Sequence, residues 1–299
     1  MSSGAVRTSG GVLRYGVGAP MRVLSWNIQA LRGCSPRRLA AITDAIAFAF
    51  PDVVLLQEVA MTKGFVDRVR AAMAAVGLTG FNYAGGSASS GKRYGSAIAT
   101  RWAFEPLDAA WAAGAPWPQL LAGGTVKAMG CQVEVISVHV PNGSSNGWKK
   151  VETFEALADH LSRHRSGSRV VGGDFNEPRW FEREGRAISF GARIDKVGGW
   201  SVEGQLMRKG ERHPRRRWND AVDSVLGSGA DLGLRHAYLA THQERFEETH
   251  RTRTQPRFFD HLLVSKDMEV LASGFHHAWR TDLGLSDHSA AWAELRPPS

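Results

Sequence analysis

Short apolar runs alternate with segments of helical periodicity along most of the chain. The apolar runs predict a strand that ends at Asp174 and further strands over residues 21–28, 52–59, 94–100, 125–130, 131–140, 258–265, 268–275 and 288–295. Apolar residues at helical spacing predict helices over residues 35–50, 62–76 and 147–164. This alternation indicates an α/β fold. We expect one domain over residues 21–297, after a flexible lead-in over residues 1–20.

Residues 178–255 are patterned more weakly than the rest of the chain and are rich in Gly and Arg. Such composition is typical of loops, and we expect long loops here with one helix over about residues 218–226. No segment of this region has the composition of an interdomain linker, so the expectation of a single domain stands.

Polar side chains follow several of the predicted strands at the point where each strand ends. They are Asn27, Glu58, His139 with Asn142, and Asp174 with Asn176, while Asp260 begins a strand and Asp287 and His288 introduce the last one. Taken singly, each has a structural explanation, because Asp and Asn are common in turns and a lone His is more often a structural hydrogen-bonding residue. Together, carboxylates and amides at sheet edges favour a hard, oxygen-binding cation, and Mg²⁺ fits best.

Charge and cysteine content narrow the class of partner and compartment. The 37 Lys and Arg residues exceed the 29 Asp and Glu residues, which gives a net charge of +8 and a pI near 9.9. This balance favours a polyanion such as nucleic acid or anionic lipid, although many arginines also suit a solvated surface. With two cysteines, no signal-peptide pattern and no apolar run of membrane-spanning length, we expect a cytoplasmic protein that contacts no membrane.

Seven segments, in this order, resemble the motifs of the endonuclease/exonuclease/phosphatase superfamily. They are SWNIQALRG, LLQEV, RYGSAIATR, SVHVPNG, GGDFNEP, RFFDHLLVS and GLSDHSA. The resemblance covers about residues 22–295, and the pairing of GDFN with a C-terminal SDH is specific. It implies a four-layer α/β/β/α sandwich with two central mixed β-sheets. It also implies hydrolysis of phosphate esters with a divalent cation.

The resemblance also implies a role for each motif residue. Glu58, Asn27 and Asp287 match the residues around the metal, which we expect to be Mg²⁺ with Mn²⁺ as an alternative. Asp174 matches the residue that orients or deprotonates the attacking water. His288 matches the phosphate-contacting histidine and Asp260 its carboxylate partner, and Asn176 and Asn142 match the amides that hold the scissile phosphate. His139 is a further catalytic candidate, and Tyr94 is a substrate-binding candidate.

Several positions depart from the abasic-site branch of this superfamily. His139 stands where that branch has tyrosine. A histidine at this position resembles the deoxyribonuclease, sphingomyelinase and phosphatase branches. Gln29 replaces a frequent acidic residue. Insertions between the GDFN and RFFD motifs often face substrate in this superfamily, and here they carry Arg215, Arg216, Arg217, Arg251 and Arg253, with Trp200 and Trp218 nearby. We expect a charged, aromatic surface for a nucleic-acid backbone; the alternative is a solvated loop.

These observations favour a Mg²⁺-dependent DNA endonuclease or 3′-exonuclease that needs no obligate protein partner. One alternative is a phosphodiesterase or phosphatase acting on a lipid or a small phosphorylated metabolite. Another is a catalytically inactive binding module on the same fold. A binding module would not need Glu58, Asp174, Asp260, Asp287 and His288 together, and no apolar loop that would insert into a membrane stands out. The nuclease hypothesis therefore comes first.

Overall fold

The protein is described by a computed structural model that covers residues 19–30, 33–62, 64–85, 93–128, 130–163, 167–177, 182–183, 186–187, 192–194, 200–202, 214–227, 232–242, 247–251 and 256–298. The strands, in chain order, are β1 (Met21–Asn27), β2 (Val53–Ala60), β3 (Gly80–Tyr83), β4 (Tyr94–Thr100), β5 (Phe104–Pro106), β6 (Leu121–Ala128), β7 (Cys131–His139), β8 (Ser168–Asp174), β9 (Glu182–Arg183), β10 (Arg186–Ala187), β11 (Ala192–Ile194), β12 (Trp200–Val202), β13 (Leu234–His236), β14 (His250–Arg251), β15 (Pro256–Arg257), β16 (Asp260–Ser265), β17 (Glu269–His276) and β18 (Ala290–Arg296). The α-helices are α1 (Pro36–Ala49), α2 (Phe65–Ala75), α3 (Gly143–Asn146), α4 (Trp148–Arg163), α5 (Pro214–Leu226), α6 (Ala237–Thr241) and α7 (His277–Thr281), and short 3₁₀ turns cover Ala109–Ala112 and Pro118–Leu120.

Two six-stranded sheets form the centre of the fold. The first has the strand order β17-β18-β1-β2-β4-β3, and the second has the order β13-β16-β8-β7-β6-β5. Each sheet contains one parallel pair near its middle, β1 with β2 and β7 with β8, and the remaining pairs are antiparallel. Both sheets are therefore mixed, and each has one crossover through a helical layer.

The apolar core between the sheets comes from alternate residues of strands on both sides. Val23 and Leu55 of the first sheet and Val135, Val170 and Leu262 of the second belong to one buried cluster. Because successive side chains of a strand point to opposite faces, these strands are buried on both sides and read as nearly continuous apolar runs. This explains why the sequence pattern located them well.

Helices cover the outer face of each sheet. On the first sheet, α1 and α2 pack through a cluster that includes Ile46 and Val69, and on the second, α4 and α5 pack through Phe154 and Trp218. Ser35 caps α1 by accepting a hydrogen bond from the Arg38 amide. The expected four-layer α/β/β/α sandwich is confirmed.

Most predicted elements are present, with their ends moved by a few residues. The chief omissions were the short strands β3, β5 and β13 at or beside sheet edges, whose three or four residues carry little periodicity. Within residues 178–255 the structure adds two short antiparallel strand pairs, β9–β10 and β11–β12, and helix α5 begins four residues earlier than predicted. Residues 1–18 of the expected lead-in lie outside the described residues.

Among the described residues, no helix combines the length and apolar character that a bilayer crossing requires.

Gly173 marks a close approach of two neighbouring strands beside Asp174. A Cβ atom at this position would lie 1.8 Å from the carbonyl oxygen of Val138 on the parallel neighbour β7. Backbone cannot move aside as a flexible side chain can, so only glycine lets β8 continue to Asp174 in this register.

We predict that Gly173→Ala destabilises the protein by about 2–3 kcal/mol, because the added methyl group forces β7 and β8 apart. Chemical denaturation followed by circular dichroism would measure the change. Gly114→Ala is a matched control, since the nearest atom to a Cβ there is at an ordinary 3.6 Å. Equal stabilities for the two variants would contradict the prediction.

Candidate active site

The strand order brings the predicted polar residues to one edge of the sandwich. Within the second sheet, Asp174 pairs in register with His139 on β7 and with Asp260 on β16. In the first sheet, Asn27 ends β1 next to Gln57 on β2, and His288 lies just before β18, which pairs antiparallel with β1. The two sheets therefore contribute opposite sides of one site.

Glu58 reaches the site through an irregularity in β2. The pairing of β2 with β4 shifts register between Leu56 and Val59, and Glu58 has a φ of 55°. A β-bulge re-aims one side chain while the strand continues, which here directs Glu58 out of the alternating core pattern. Gln29 and Asn176, with φ of 47° and 48°, also adopt left-handed backbone at the site. Such conformations concentrate at functional sites.

Asn27 joins the two sheets at the site. Its Nδ2 donates to Asp174 Oδ2 at 3.0 Å and lies 3.3 Å from Glu58 Oε1, while its Oδ1 accepts from the Gln29 amide at 3.0 Å. The fully buried carboxamide thus separates two carboxylates and supplies a donor to each. The Gln29 side chain donates to Asp287 Oδ2, so the neighbouring loop is fixed as well.

His288 lies between two buried carboxylates. Its Nδ1 is 3.0 Å from Asp260 Oδ2, and its Nε2 is 3.6 Å from Asp174 Oδ2. Burial by itself lowers the pKa of His288, but the charges of Asp260 and Asp174 outweigh burial and raise that pKa to about 10. Burial raises the pKa of Asp174, and the charges of His288 and His139 oppose that rise. The histidine is therefore an imidazolium at neutral pH.

Tyr94, His139 and Asn176 line the same edge. The rings of Tyr94 and His139 stack with centroids 5.2 Å apart, and His139 Nε2 lies 3.7 Å from Asp174 Oδ2. The Asn176 amide donates to Asp174 Oδ1 at 2.8 Å, and its Nδ2 donates to the carbonyl of Val140 at 3.0 Å. Burial, followed by the charges of Glu58 and Asp174, raises the pKa of Tyr94, so its hydroxyl stays protonated as a donor.

Asn142 also lies at this edge, in the loop after β7. Its Oδ1 caps the short helix α3 by accepting from the amide of Ser144 at 2.9 Å. This contact fixes the orientation of the side chain and leaves the Nδ2 group as the part that could meet a phosphate oxygen.

Two kinds of carboxylate meet in the site. Asp174 and Asp260 are about 1% exposed, whereas Glu58 is partly exposed and the Asp287 side chain is 34% exposed. The imidazolium of His288 already balances the buried pair. Partly exposed carboxylates suit a cation such as Mg²⁺, which takes one or two protein oxygens and keeps several waters. Glu58 and Asp287, the two partly exposed carboxylates, have the chemistry that such an ion requires.

Sequence reasoning missed Arg38, the third residue of α1. Its guanidinium donates to the carbonyls of Ile28 and Gln29 in the loop after β1, to that of Gly33, and to that of Leu285 in the loop before Asp287. One side chain therefore holds both loops that carry candidate metal ligands. A single arginine at the start of a helix gives no sequence signal for this contact.

Lys150, the third residue of α4, lies in the interior of the protein rather than at its surface. It is fully buried, and its Nζ donates to the carbonyl of Asn176 at 2.8 Å and to the buried carboxylate of Glu177. Burial lowers the pKa of Lys150, while the Glu177 charge opposes this shift. Trp218, expected on the nucleic-acid surface, is likewise buried, with its ring centroid 5.9 Å from that of Trp148. Their helices pack against the second sheet, which the local pattern did not indicate.

The predicted arginines are spread over two places. The Arg216 side chain is 80% exposed and lies 3.4 Å from Asp220, Arg217 pairs with Glu155 at 2.7 Å, and Arg251 pairs with Glu248. The side chain of Arg215 and all of Arg253 lie outside the described residues. Substrate binding by these arginines stays a prediction.

Comparison with known proteins agrees with the fold. The model of the Endonuclease/Exonuclease/phosphatase family matches residues 24–288. Among curated protein sequences, none matches the chain.

Solved structures with the same fold cover nearly the whole chain. An AP endonuclease from Archaeoglobus fulgidus is 18% identical, with a TM-score of 0.65 over 91% of this chain and 98% of that one. D. rerio TDP2 in complex with a single-strand DNA product is 15% identical, with a TM-score of 0.61 over 93% and 99%. An endonuclease/exonuclease/phosphatase from Beutenbergia cavernae is 17% identical, with a TM-score of 0.56 over 94% and 72%.

We predict that Asp260→Asn lowers the pKa of His288 from about 10 towards its ordinary value, since Asp260 supplies the largest charge that raises it. NMR titration of the imidazole in metal-free protein would measure the shift. Asp159→Asn is the control, because Asp159 pairs with Arg163 on an exposed helix face. An unchanged His288 titration in Asp260→Asn would contradict the assigned pair.

The same pair predicts a pH dependence of stability. His288 has a raised pKa in the folded state, so its contribution is fully present below its unfolded pKa, about 6.5, and is lost as pH rises towards about 10. The unfolding free energy of the metal-free protein should therefore fall across this window. The fall should be smaller in Asp260→Asn, and parallel profiles for the two proteins would contradict this.

Proposed function

Since the chain belongs to the endonuclease/exonuclease/phosphatase family, we propose that it is a divalent-cation-dependent phosphodiesterase whose substrate is DNA. Members of this family are hydrolases that act on phosphate ester bonds and depend on a divalent metal. The finer assignment to a DNA endonuclease or 3′-exonuclease is our proposal.

One observation carries the proposal: a protonated histidine and four carboxylates meet at a single edge of the sandwich. Of these carboxylates, Asp174 and Asp260 are paired through His288, while Glu58 and Asp287 remain accessible to solvent. Phosphodiester hydrolysis needs a base for water, donors for the developing negative charge and a cation for the phosphate oxygens. The arrangement offers a residue for each role.

Asp174 is the proposed base. Its two oxygens accept hydrogen bonds from the side chain of Asn27 and from the amide of Asn176, which fixes the plane of the carboxylate. A raised pKa makes a carboxylate a stronger base, and burial raises the pKa of Asp174. An attacking water would transfer its proton to this carboxylate as its oxygen forms a bond to phosphorus and the P–O bond of the ester breaks. The departing oxygen would then take up a proton from solvent and leave as an alcohol.

His288 is the proposed donor to the phosphate. Asp260 holds its Nδ1, so the protonated Nε2 is left to donate to a phosphate oxygen. The carboxamides of Asn176 and Asn142 supply further donors at the same edge. A charged donor that is already oriented stabilises the transition state without reorganisation, which is the source of its catalytic effect.

Glu58 and Asp287 would hold the divalent cation, with Mg²⁺ first and Mn²⁺ as an alternative. When bound, such an ion neutralises charge on phosphate oxygens. Glu58 is directed towards it by the bulge in β2, and Asp287 is fixed by the side chain of Gln29.

DNA is the preferred substrate for two reasons. The net charge of +8 favours a polyanion, and Arg216 exposes its guanidinium on helix α5, which packs against α4. Among the proteins of the same fold, one is an AP endonuclease and another was solved with a single-strand DNA product. A lipid or small-metabolite phosphoesterase is the alternative outcome of the test below.

We predict that Glu58→Gln lowers hydrolysis by roughly 10²–10³-fold, as loss of a group that stabilises transition-state charge does elsewhere. Purified protein with Mg²⁺ would be assayed on supercoiled plasmid, abasic duplex, single-stranded DNA, RNA, sphingomyelin and a phosphomonoester. Glu269→Gln, at an exposed ion pair with Arg296, is the control. EDTA should abolish turnover. Full activity in EDTA would disprove the metal role. If the protein hydrolyses only sphingomyelin or only the phosphomonoester, DNA is not its substrate.

We predict that Arg216→Gln reduces the slope of log affinity for DNA against log salt by about 0.7–0.9, because one phosphate contact and its released counterion are lost. Fluorescence anisotropy with catalytically impaired Glu58→Gln protein would measure the slope. Arg163→Gln is a matched control: Arg163 is 68% exposed, makes the same i,i+4 kind of ion pair and lies at the far end of α4. Equal slopes in both variants would assign Arg216 to solvated surface.

A further inference from the structure

His250 lies beside the candidate metal site, although no motif of the sequence includes it. Its backbone forms an isolated antiparallel bridge with His288, and the two imidazole centroids are 4.5 Å apart. Its Nε2 lies 3.7 Å from Asp287 Oδ2. The side chain is 15% exposed and stacks on Phe259, so its position is fixed.

The facing atoms of His250 and Asp287, Nε2 and Oδ2, are not in direct contact. At 3.7 Å the two atoms are too far apart for a hydrogen bond. They are close enough to bind one cation between them, since nitrogen and oxygen ligands lie about 2.0–2.2 Å from such an ion. Ligand atoms of His250, Asp287 and His288 lie within 4.8 Å of one another. His288 is not counted as a ligand here, because its Nδ1 is hydrogen-bonded to Asp260 and its Nε2 is assigned to the phosphate.

We propose that His250 is a ligand of the cation held at Asp287, and that it biases the site towards cations that bind imidazole, such as Mn²⁺, over Mg²⁺. The inference rests on the proposed function, because it places the new ligand at the cation of that same site. Imidazole binds first-row transition metals well, whereas Mg²⁺ prefers oxygen ligands and its own waters. A site in which His250 adds a nitrogen ligand to the oxygen of Asp287 is therefore better matched to Mn²⁺ than an all-oxygen site.

The backbone explains how His250 is placed. Thr249 accepts the Ser289 amide with its carbonyl at 2.8 Å, and its hydroxyl accepts the amides of Phe259 and Asp260. These bonds fix the residue before His250 to both strands that flank the site. The imidazole is thus held by the same hydrogen bonds that position Asp260 and His288, as a metal ligand requires.

The test measures metal binding directly, without substrate. Mn²⁺ and Mg²⁺ binding would be followed by isothermal titration calorimetry, and nitrogen coordination to Mn²⁺ by pulsed electron paramagnetic resonance. The variants are His250→Phe, which keeps the ring stacked on Phe259, and Glu58→Gln. His276→Phe is the matched control, because His276 also stacks on an aromatic ring, that of Trp279 at 4.2 Å, rather than facing Asp287.

We expect His250→Phe to weaken the binding of Mn²⁺ but not that of Mg²⁺. Loss of even an outer partner of a metal ligand costs about 10–100-fold in affinity, so His250→Phe should weaken Mn²⁺ binding by at least about tenfold. Mg²⁺ affinity should stay close to that of the wild type. The signal of a coordinated nitrogen should disappear in His250→Phe and persist in His276→Phe.

Failure of the His250 inference can be distinguished from failure of the proposed metal site. If Glu58→Gln weakens both metals while His250→Phe keeps both the Mn²⁺ affinity and the nitrogen signal, the inference is overturned and the proposed metal site remains. If the wild type binds neither ion, or Glu58→Gln binds both unchanged, the proposed metal site itself is overturned and the inference falls with it.

Discussion

The concentration of negative charge at one edge of two sheets is the constraint on which the site depends. Two carboxylates about 4 Å apart repel by roughly 4 kcal/mol at an effective dielectric constant near 20, so a buried group of them needs compensating partners. The imidazolium of His288 serves Asp174 and Asp260, and the carboxamide of Asn27 separates Asp174 from Glu58. Loss of His288 or of Asn27 would therefore leave neighbouring carboxylates of the site without compensation.

The apolar runs that end in polar residues predicted an α/β fold and polar side chains at sheet edges, while the four-layer sandwich was implied by the resemblance of the motifs to a known superfamily. The register that sets Asp174 opposite Asp260 could not be predicted, since pairing depends on distant parts of the chain. Nor could the bulge that turns Glu58, which adds one residue to an otherwise regular strand. Burial of Lys150 was missed because a lysine reads as solvent-exposed until its partner, Glu177, is known.

Side chains outside the site make it rigid. Beneath the turn that carries Asn176, the buried pair of Lys150 and Glu177 replaces water that would otherwise solvate the backbone. Buried charges of this kind contribute little net stability but strongly disfavour other arrangements when both partners are present. Arg38 has the corresponding role on the first sheet, where its guanidinium donates to backbone carbonyls of two loops. Both sides of the site therefore have fixed geometry before substrate arrives.

The pairing of β18 with β1 determines when, during synthesis, the candidate site can be complete. Asn27, Glu58 and Asp174 leave the ribosome well before Asp287 and His288, and Arg38 can join its two loops only when Leu285 has been made. A nascent chain that has folded much of the sandwich thus lacks its imidazolium and one carboxylate. Synthesis itself therefore delays completion of the candidate site until the final strand pairs with the first.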